Sequence, residues 1–573
     1  MCGIVFGFGF SYEKFIQGQS KIFHRGPDSS SSLYLTEETL FFGFQRLAIQ
    51  DLSLKGSQPF WSSNKRYLIL YNGEIYNKED LVLKYLSNFQ LKTNADTEII
   101  AEVLESVGVR KTLNLLEGMF ALCIYDTFDK KTFLARDYFG VKRLYWYASS
   151  SKEFVAASEI QSILGFISNP RPNIRVIHDW LYHGLIDHSE NTFFQEIKVI
   201  PAGHLMEIDE KGSIKIEDWR EKIRLSSFDN EEQYLQELNN CLFSLVEKSL
   251  VGEANMGVLL SGGVDSSLFY AIANRFQSKM QAFTLDWNNQ EYSELDWVRK
   301  ITNPKHHNIV TSDEREIFQQ IPKSIKHYCQ PFGSPFLIGL EKIFEKAKEK
   351  EFKVMFDGNG LDELFLGYSK YRMKLNVRNF SSLTQDSTNG LRPGLLGSTL
   401  NDCHEFNCEH FQESENLDLN KMRNLDIFTL KLPRALRYSD QASMKHSCEL
   451  RVPFVNKELY AMALSANLNW LQDDLMGKKP IRKILGNLTN KAVGFEKKRA
   501  VQLPMREWFV NNWEKEVIST INESVLFKEK WINIAAFNEE YRKFKIHYSK
   551  DNSNALFLWQ WLSLALWSNE FIR

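Results

Sequence analysis

Cys2 lies one residue in from the start of the chain, in Met1-Cys2-Gly3-Ile4-Val5-Phe6-Gly7. Removal of Met1 leaves a residue that carries a thiol and a free α-amine together. The thiolate is the attacking species, and a free cysteine titrates at about 8.5. An α-amino group titrates near ~7.7–8.0, so at neutral pH part of it is neutral and can accept the thiol proton. Nucleophile and base then come from one residue, an arrangement related to N-terminal threonine catalysis. By themselves these seven residues fit a plain cysteine in an apolar first strand just as well.

A second centre is Met256-Gly257-Val258-Leu259-Leu260-Ser261-Gly262-Gly263-Val264-Asp265-Ser266-Ser267. An apolar strand ends in a serine-glycine-glycine turn, and a helix is predicted from near Ser266. Glycine lets backbone N–H groups come close to a phosphate, and a helix N-terminus favours anions. The GxxxxGK[ST] pattern is missing, so this is not a Walker loop.

A chain of 573 residues is too long for one hydrophobic core, so two or more domains are expected. At 43% hydrophobic and 25% charged residues the composition is that of a soluble globular protein. The formal net charge of -2 gives no reason to expect a nucleic-acid partner. Seven cysteines without a framework of spacings fit a reducing cytosol better than secretion. The first ten residues lack a basic n-region. The apolar run 556–567 is too short for a bilayer, which takes ~20 residues, and reads as a buried terminal helix. The expectation is a cytoplasmic protein with no membrane partner.

Up to about residue 205 short strands, turns and a few helices alternate. Leu68-Ile69-Leu70-Tyr71 reads as a strand that ends at a turn signal, Asn72-Gly73. Thr97 to Val107 has helical periodicity. Phe120–Tyr125 and Lys131–Arg136 read as paired strands, which predicts a layered α+β domain. Residues 206–230 read as an edge strand pair and a linker, and Tyr234 to Leu250 as an amphipathic helix opening a second domain.

The first half resembles the N-terminal-nucleophile glutaminase domain of asparagine synthetases. The matching pieces are MCGIV, Arg25-Gly26-Pro27-Asp28, Gln45-Arg46-Leu47, Tyr71-Asn72-Gly73-Glu74-Ile75-Tyr76-Asn77, Ala95-Asp96-Thr97-Glu98, Glu117-Gly118-Met119-Phe120, Leu134-Ala135-Arg136-Asp137, Ala157-Ser158-Glu159-Ile160 and Pro201-Ala202-Gly203-His204. The resemblance implies an αββα sandwich in which Cys2 attacks the side-chain amide of glutamine, giving a thioester and ammonia. It also implies that Asn72 and the Gly73 N–H receive the tetrahedral oxyanion, which needs preorganised donors. Arg46 would hold the substrate α-carboxylate, and Glu74 and Asp96 its α-ammonium group.

The second half resembles ATP pyrophosphatases in SGGVDS and the synthetase part of the same family further on. Lys353–Phe356 followed by Asp357-Gly358-Asn359-Gly360-Leu361-Asp362-Glu363 stands where that family has SGEGADE. Ser443-Met444 with Glu449-Leu450-Arg451-Val452-Pro453-Phe454 matches SMxxxxExRxPF. The resemblance implies ATP held by Leu259, Ser261, Gly262, Gly263, Asp265, Ser266, Leu285, Asp357 and Gly358. Mg²⁺ would be held by Asp265 and Asp362, with Lys478 stabilising charge at the adenylate. Strands alternating with helices from 256 to 366 predict a doubly wound α/β parallel sheet with the nucleotide at the strand C-termini, followed by a helical part. The divisions expected are residues 2–208 for the glutaminase, 209–230 for the linker and 231–573 for the synthetase.

The departures concern the acceptor. The family glutamate that handles the ammonia proton is Asn359 here. Ser334 stands where many members have aspartate, and Lys497–Pro504 lacks the KKGFGVP form. Asn359 and Glu363 are the candidate acceptor-pocket residues. Residues 380–425 read as an insertion, and Cys403, His404, Cys408 and His410 within it invite a zinc reading whose spacing is not that of a standard finger. Glutamine, ATP and a carboxylate such as aspartate are the expected small-molecule partners, and a homodimer is left open. The alternative function is an amide ligase of the same fold acting on another carboxylate, in specialised-metabolite or surface-polysaccharide synthesis.

Overall fold

The computed structural model describes residues 2–150, 152–277, 279–372, 391–402, 418–496, 503–548 and 555–572. The insertion's Cys403, His404, Cys408 and His410, and most of 497–504, lie outside them. None of the described helices is long and apolar enough to cross a membrane.

The N-terminal half stacks two six-stranded sheets. In the first, Gly3–Phe8 is central, with Leu40–Arg46 and Phe154–Ala157 antiparallel on its two sides. Alternate side chains of this strand face opposite ways, as the pleat requires. Ile4 and Phe6 pack with Leu68, Leu70, Ala121 and Cys123 of the second sheet, whereas Val5 packs with Phe15, Ile22, Ile160 and Ile163 of an outer helical layer. On the far side, Ile69, Tyr71 and Ile75 pack against the helix Asp96–Val107. The result is the αββα sandwich. Burial on both faces explains the unbroken apolar reading of the first strand, each such side chain contributing about 1.5–3 kcal/mol. It also fixes Cys2 at the mouth between the two sheets.

Asn72-Gly73 is not a turn. Both residues lie inside the strand Tyr67–Ile75, paired with Ala121 and Phe120 of Gly118–Asp126. A partner strand far along the chain overrides the local turn propensity. Gly73 is needed there because a Cβ would meet Met119 O at 2.2 Å. The strand Ile214–Asp218 completes the edge of the second sheet against His204–Ile208.

The C-terminal half carries a five-stranded parallel sheet, in the order His307–Thr311, Gln281–Asp286, Asn255–Leu259, Phe352–Phe356, Glu449–Arg451. The first strand in chain order is the middle one, so the order reverses between Asn255–Leu259 and Phe352–Phe356. Ligands of open α/β sheets bind at the C-terminal ends of strands beside such a switch point. The loops there are 260–263 and 357–360. The remainder is mostly helical among the described residues, and Leu556–Phe571 is its buried terminal helix. Trp559 Nε1 donates to Phe332 O at 2.5 Å and Trp567 Nε1 to Cys329 O at 2.9 Å, which is how its indoles tolerate burial.

Buried ion pairs join the halves. Arg25 Nη1 donates to Glu159 at 2.8 Å and to Asp440 of the second half at 3.0 Å. Lys142 reaches the same Asp440 at 3.3 Å, and Arg437 reaches Asp187 at 2.7 Å. Removing one partner of such a set leaves an uncompensated buried charge. Arg25→Met is therefore expected to destabilise the protein by roughly 3–5 kcal/mol, read from the urea midpoint of unfolding at constant slope.

Candidate active sites

Two clefts collect the chemically capable residues. The first is lined by Cys2, Arg46, Gly73, Glu74, Asp96 and Glu449 among others. The Cys2 nitrogen, which becomes the α-amine once Met1 is removed, donates to Asn72 Oδ1 at 2.9 Å across the two sheets. That bond fixes the orientation of the Asn72 amide. Its Nδ2 is buried and has no hydrogen-bond partner. An unpaired buried donor costs about 1–3 kcal/mol, so it is retained for a reason, and an incoming oxygen would satisfy it. Burial pushes the Cys2 thiol up, so at rest it is protonated and needs a base beside it.

The rest of this cleft is charged at both ends. Arg46 is locked by donating to Ser53 O at 2.6 Å and Asp51 O at 2.5 Å. Asp96 accepts from Tyr71 Oη at 2.9 Å, and burial pushes its carboxyl up. Glu74 accepts from Gln50 Nε2 and, at 3.0 Å, from Arg451 Nη2 of the second half. Burial raises the Glu74 carboxyl and Arg451 beside it pulls it down. One cation facing two carboxylates suits the zwitterionic end of an amino acid.

The second centre consists of two adjoining cavities. A mainly apolar one of about 310 Å³ is lined by Leu259, Leu285, Phe336, Leu337, Leu340 and Ile343, with Ser334, Tyr438 and Ser439 among its polar lining. A polar one of about 240 Å³ is lined by Gly262, Gly263, Asp265, Gly358, Asp362 and Lys478. Ser261, Ser266, Glu294, Asp357 and Asn359 line both. A Cβ on Gly358 would meet the Asp265 backbone at 2.8 Å, so glycine is what lets the two switch-point loops touch.

Lys478 Nζ lies 2.7 and 2.8 Å from the two oxygens of Asp265 and 2.5 Å from Asp362. Burial disfavours its charge, but the two carboxylates outweigh that and hold it above its ordinary value. A cation thus already lies between two hard oxygen donors, the set that Mg²⁺ takes when it bridges phosphates. Asp357 is pushed up to about 6, chiefly by burial and further by Asp265. Asn359 Nδ2 donates to Asp357 Oδ2 at 2.7 Å and to Ser439 Oγ at 3.4 Å.

All of the candidate ATP and Mg²⁺ residues read from the sequence line one or both of these adjoining cavities, and the glutaminase set gathers at the first cleft. Glu363 does not join them. It lines neither cavity, its Oε1 accepts from Tyr368 Oη at 2.6 Å, and burial beside Asp362 pushes it up to about 7. The residues that sequence reasoning passed over are those joining the centres. Glu449 lines the first cleft and Arg451 reaches Glu74 in it, although nothing local in the motif 449–454 connects either residue to that cleft.

Two family models match the chain. Asparagine synthase covers residues 237–569 and the glutamine amidotransferase domain residues 1–219. Among similar proteins, asparagine synthetase [glutamine-hydrolyzing] 1 of Bacillus subtilis is 27% identical, over 89% of this chain and 86% of that protein. A putative asparagine synthetase of Mycobacterium bovis is 25% identical, over 96% and 92%. Asparagine synthetase of Mus musculus is 30% identical, over 64% and 67%.

Gly367 tests the polar cavity. A Cβ there would lie 1.9 Å from Asp362 Oδ1 and 2.2 Å from Lys478 Cε. Gly367→Ala must displace both groups. ATP–pyrophosphate exchange is expected to fall by on the order of 10²-fold or more, while glutamine hydrolysis, measured as glutamate release, stays near wild type.

Proposed function

The chain belongs to the asparagine synthase family, with a glutamine amidotransferase domain ahead of the synthase domain, and on that premise we propose how its residues divide the work of a glutamine-dependent, ATP-consuming carbon–nitrogen ligase. Cys2 attacks the glutamine side-chain amide, and its own α-amine takes the thiol proton. Asn72 Nδ2 and the Gly73 N–H hold the oxyanion, a contribution typically worth 10²–10³ in rate per donor. Arg46 binds the substrate carboxylate, and Glu74 with Asp96 its ammonium group. Ammonia leaves and water releases glutamate.

In the synthetase half, adenosine occupies the apolar cavity and the phosphates the polar one. Asp265 and Asp362 are the residues that would hold Mg²⁺, whose positive charge neutralises a pyrophosphate leaving group when bound. Lys478 lies within reach of the same phosphates and offsets charge at the adenylate. A carboxylate attacks the α-phosphorus to give an acyl-adenylate, and ammonia from the first cleft converts it to an amide. The acceptor on this reading is aspartate and the product asparagine. The observation that carries the whole reading is the unpartnered Asn72 Nδ2 beside Cys2 in a chain that also converges Asp265, Asp362 and Lys478.

One observation favours a second reading. Asp357 and Asn359, both departures from the family pattern, line both cavities where they join, and Ser334, a third departure, lines the apolar one. A carboxylate other than aspartate is the acceptor on that reading. Screening carboxylic acids for ATP–pyrophosphate exchange separates the two, and efficient asparagine formation from aspartate by the wild-type chain would end the second.

The two-site scheme makes separable demands. Cys2→Ala is expected to abolish glutamine-driven amide formation while ammonium salts still support it. A folded variant that loses both would refute the scheme. Asp265→Asn and Asp362→Asn are each expected to stop AMP formation and to spare glutaminase activity. Substantial adenylation by either variant would remove its carboxylate from the metal site.

A further inference from the structure

The two cavities of the synthetase half fix where the reacting carbon must be. With adenosine on the apolar side and the β- and γ-phosphates on the polar side, the α-phosphate lies where the cavities join. The acyl group of an acyl-adenylate is bonded through one oxygen to that phosphorus. Its carbonyl carbon is therefore held at the junction, among Ser261, Ser266, Glu294, Asp357 and Asn359. Asp357 follows directly on the strand Phe352–Phe356, at the switch point.

The same junction faces the glutaminase half. Asn359 donates from one amide nitrogen to Asp357 and to Ser439, which lies on the helix Leu432–Lys445. Asp440, the next residue of that helix, pairs with Arg25 and Lys142 of the glutaminase half. The Asp357 N–H donates to Arg451 O at 3.0 Å, and the Arg451 side chain reaches Glu74 in the glutamine cleft. Asp357 is thus a carboxylate at the cavity junction whose backbone bonds the strand that carries Arg451 to the first cleft. Glu294 also lines both cavities, but it stands at the start of the short helix Leu295–Val298, whereas Asp357 is the junction carboxylate whose backbone bonds Arg451; Glu363 is tied to Tyr368 and lines neither cavity.

We propose that Asp357 is the group that takes the proton from the attacking nitrogen, with Asn359 as the residue that positions its carboxylate. This rests on the reading of the chain as an acyl-adenylate-forming ligase. Ammonia attacks the acyl carbon and a C–N bond forms. The nitrogen, now carrying three hydrogens and a positive charge, gives one proton to Asp357. The C–O bond to AMP breaks, AMP leaves with the electron pair, and the amide remains. Asn359 cannot accept that proton, since an amide is no base at neutral pH. The base function has moved two residues back along one loop.

The test uses the full-length enzyme with aspartate, or with whichever carboxylate drives ATP–pyrophosphate exchange in the wild type. Asp357→Asn is compared for ammonia and for hydroxylamine, a stronger nucleophile that is already neutral at neutral pH and depends less on a base. Amide formation is expected to fall by about 10²–10⁴-fold, the range for loss of a general base, and hydroxamate formation by much less. The ratio of hydroxamate to amide should therefore rise by on the order of 10²-fold. The double variant Asp357→Ser with Asn359→Glu, which moves the carboxylate forward again, is expected to recover ammonia use. An Asp357→Asn enzyme that discriminates between the two nucleophiles as the wild type does would overturn the proposal. So would equal loss of exchange and amide formation, which would assign Asp357 to nucleotide binding alone. Failure of the wild type to exchange with any carboxylate would overturn the functional reading, and this proposal with it.

Discussion

The Arg451 guanidinium is the interaction on which the two-centre arrangement depends. It is fully buried, donates to Glu74 at 3.0 Å and Glu449 at 2.6 Å, and also reaches the carbonyls of Ser249 and Val251. Four acceptors for one guanidinium satisfy most of its five donors, the condition under which a buried charge is tolerated. Its side chain reaches Glu74 on the wall of the first cleft, and its backbone belongs to the parallel sheet. A shift in either half is therefore felt in the other. Lysine, a single point charge, could not hold two carboxylates and two carbonyls in this geometry.

Around that pairing the two halves solve different problems with the same device, close approach of backbones. In the sandwich, a glycine inside a strand lets Gly118–Asp126 pass hard against Asn72, so that the amide is presented to Cys2 from a rigid element. In the parallel sheet, Gly358 and Gly367 bring Asp265, Asp362 and Lys478 into one cluster. Sites carried on strands and strand-end loops hold their geometry better than sites on long loops. The buried charges joining the halves (Arg25, Asp440, Lys142, Arg437 and Asp187) keep the two cores in fixed register. Because those groups are desolvated, their geometry is exacting.

Much of this was legible in the sequence. Cys2 behind a removable methionine, SGGVDSS after an apolar strand, and the alternation of strands and helices from 256 to 366 each carry a local physical meaning. The helix Asp96–Val107, the strand pair Gly118–Asp126 with Lys131–Arg136, and the buried terminal helix follow from periodicity and length. Residue type alone determined which side chains could be nucleophile, oxyanion donor or metal ligand, because those capacities are properties of the functional groups themselves.

Tertiary structure decided the rest. Asn72-Gly73 has the composition of a turn, yet pairing with residues near 120 makes it strand. Glu363 and Asp357 are both loop carboxylates in the sequence. Only packing turns the first toward Tyr368 and the second toward the cavity junction. Arg451 and Glu74 are 377 residues apart, and no local pattern encodes their contact. Chemical identity is written residue by residue. Which groups meet is set by long-range burial and hydrogen bonding, which become definite only when the whole chain has packed.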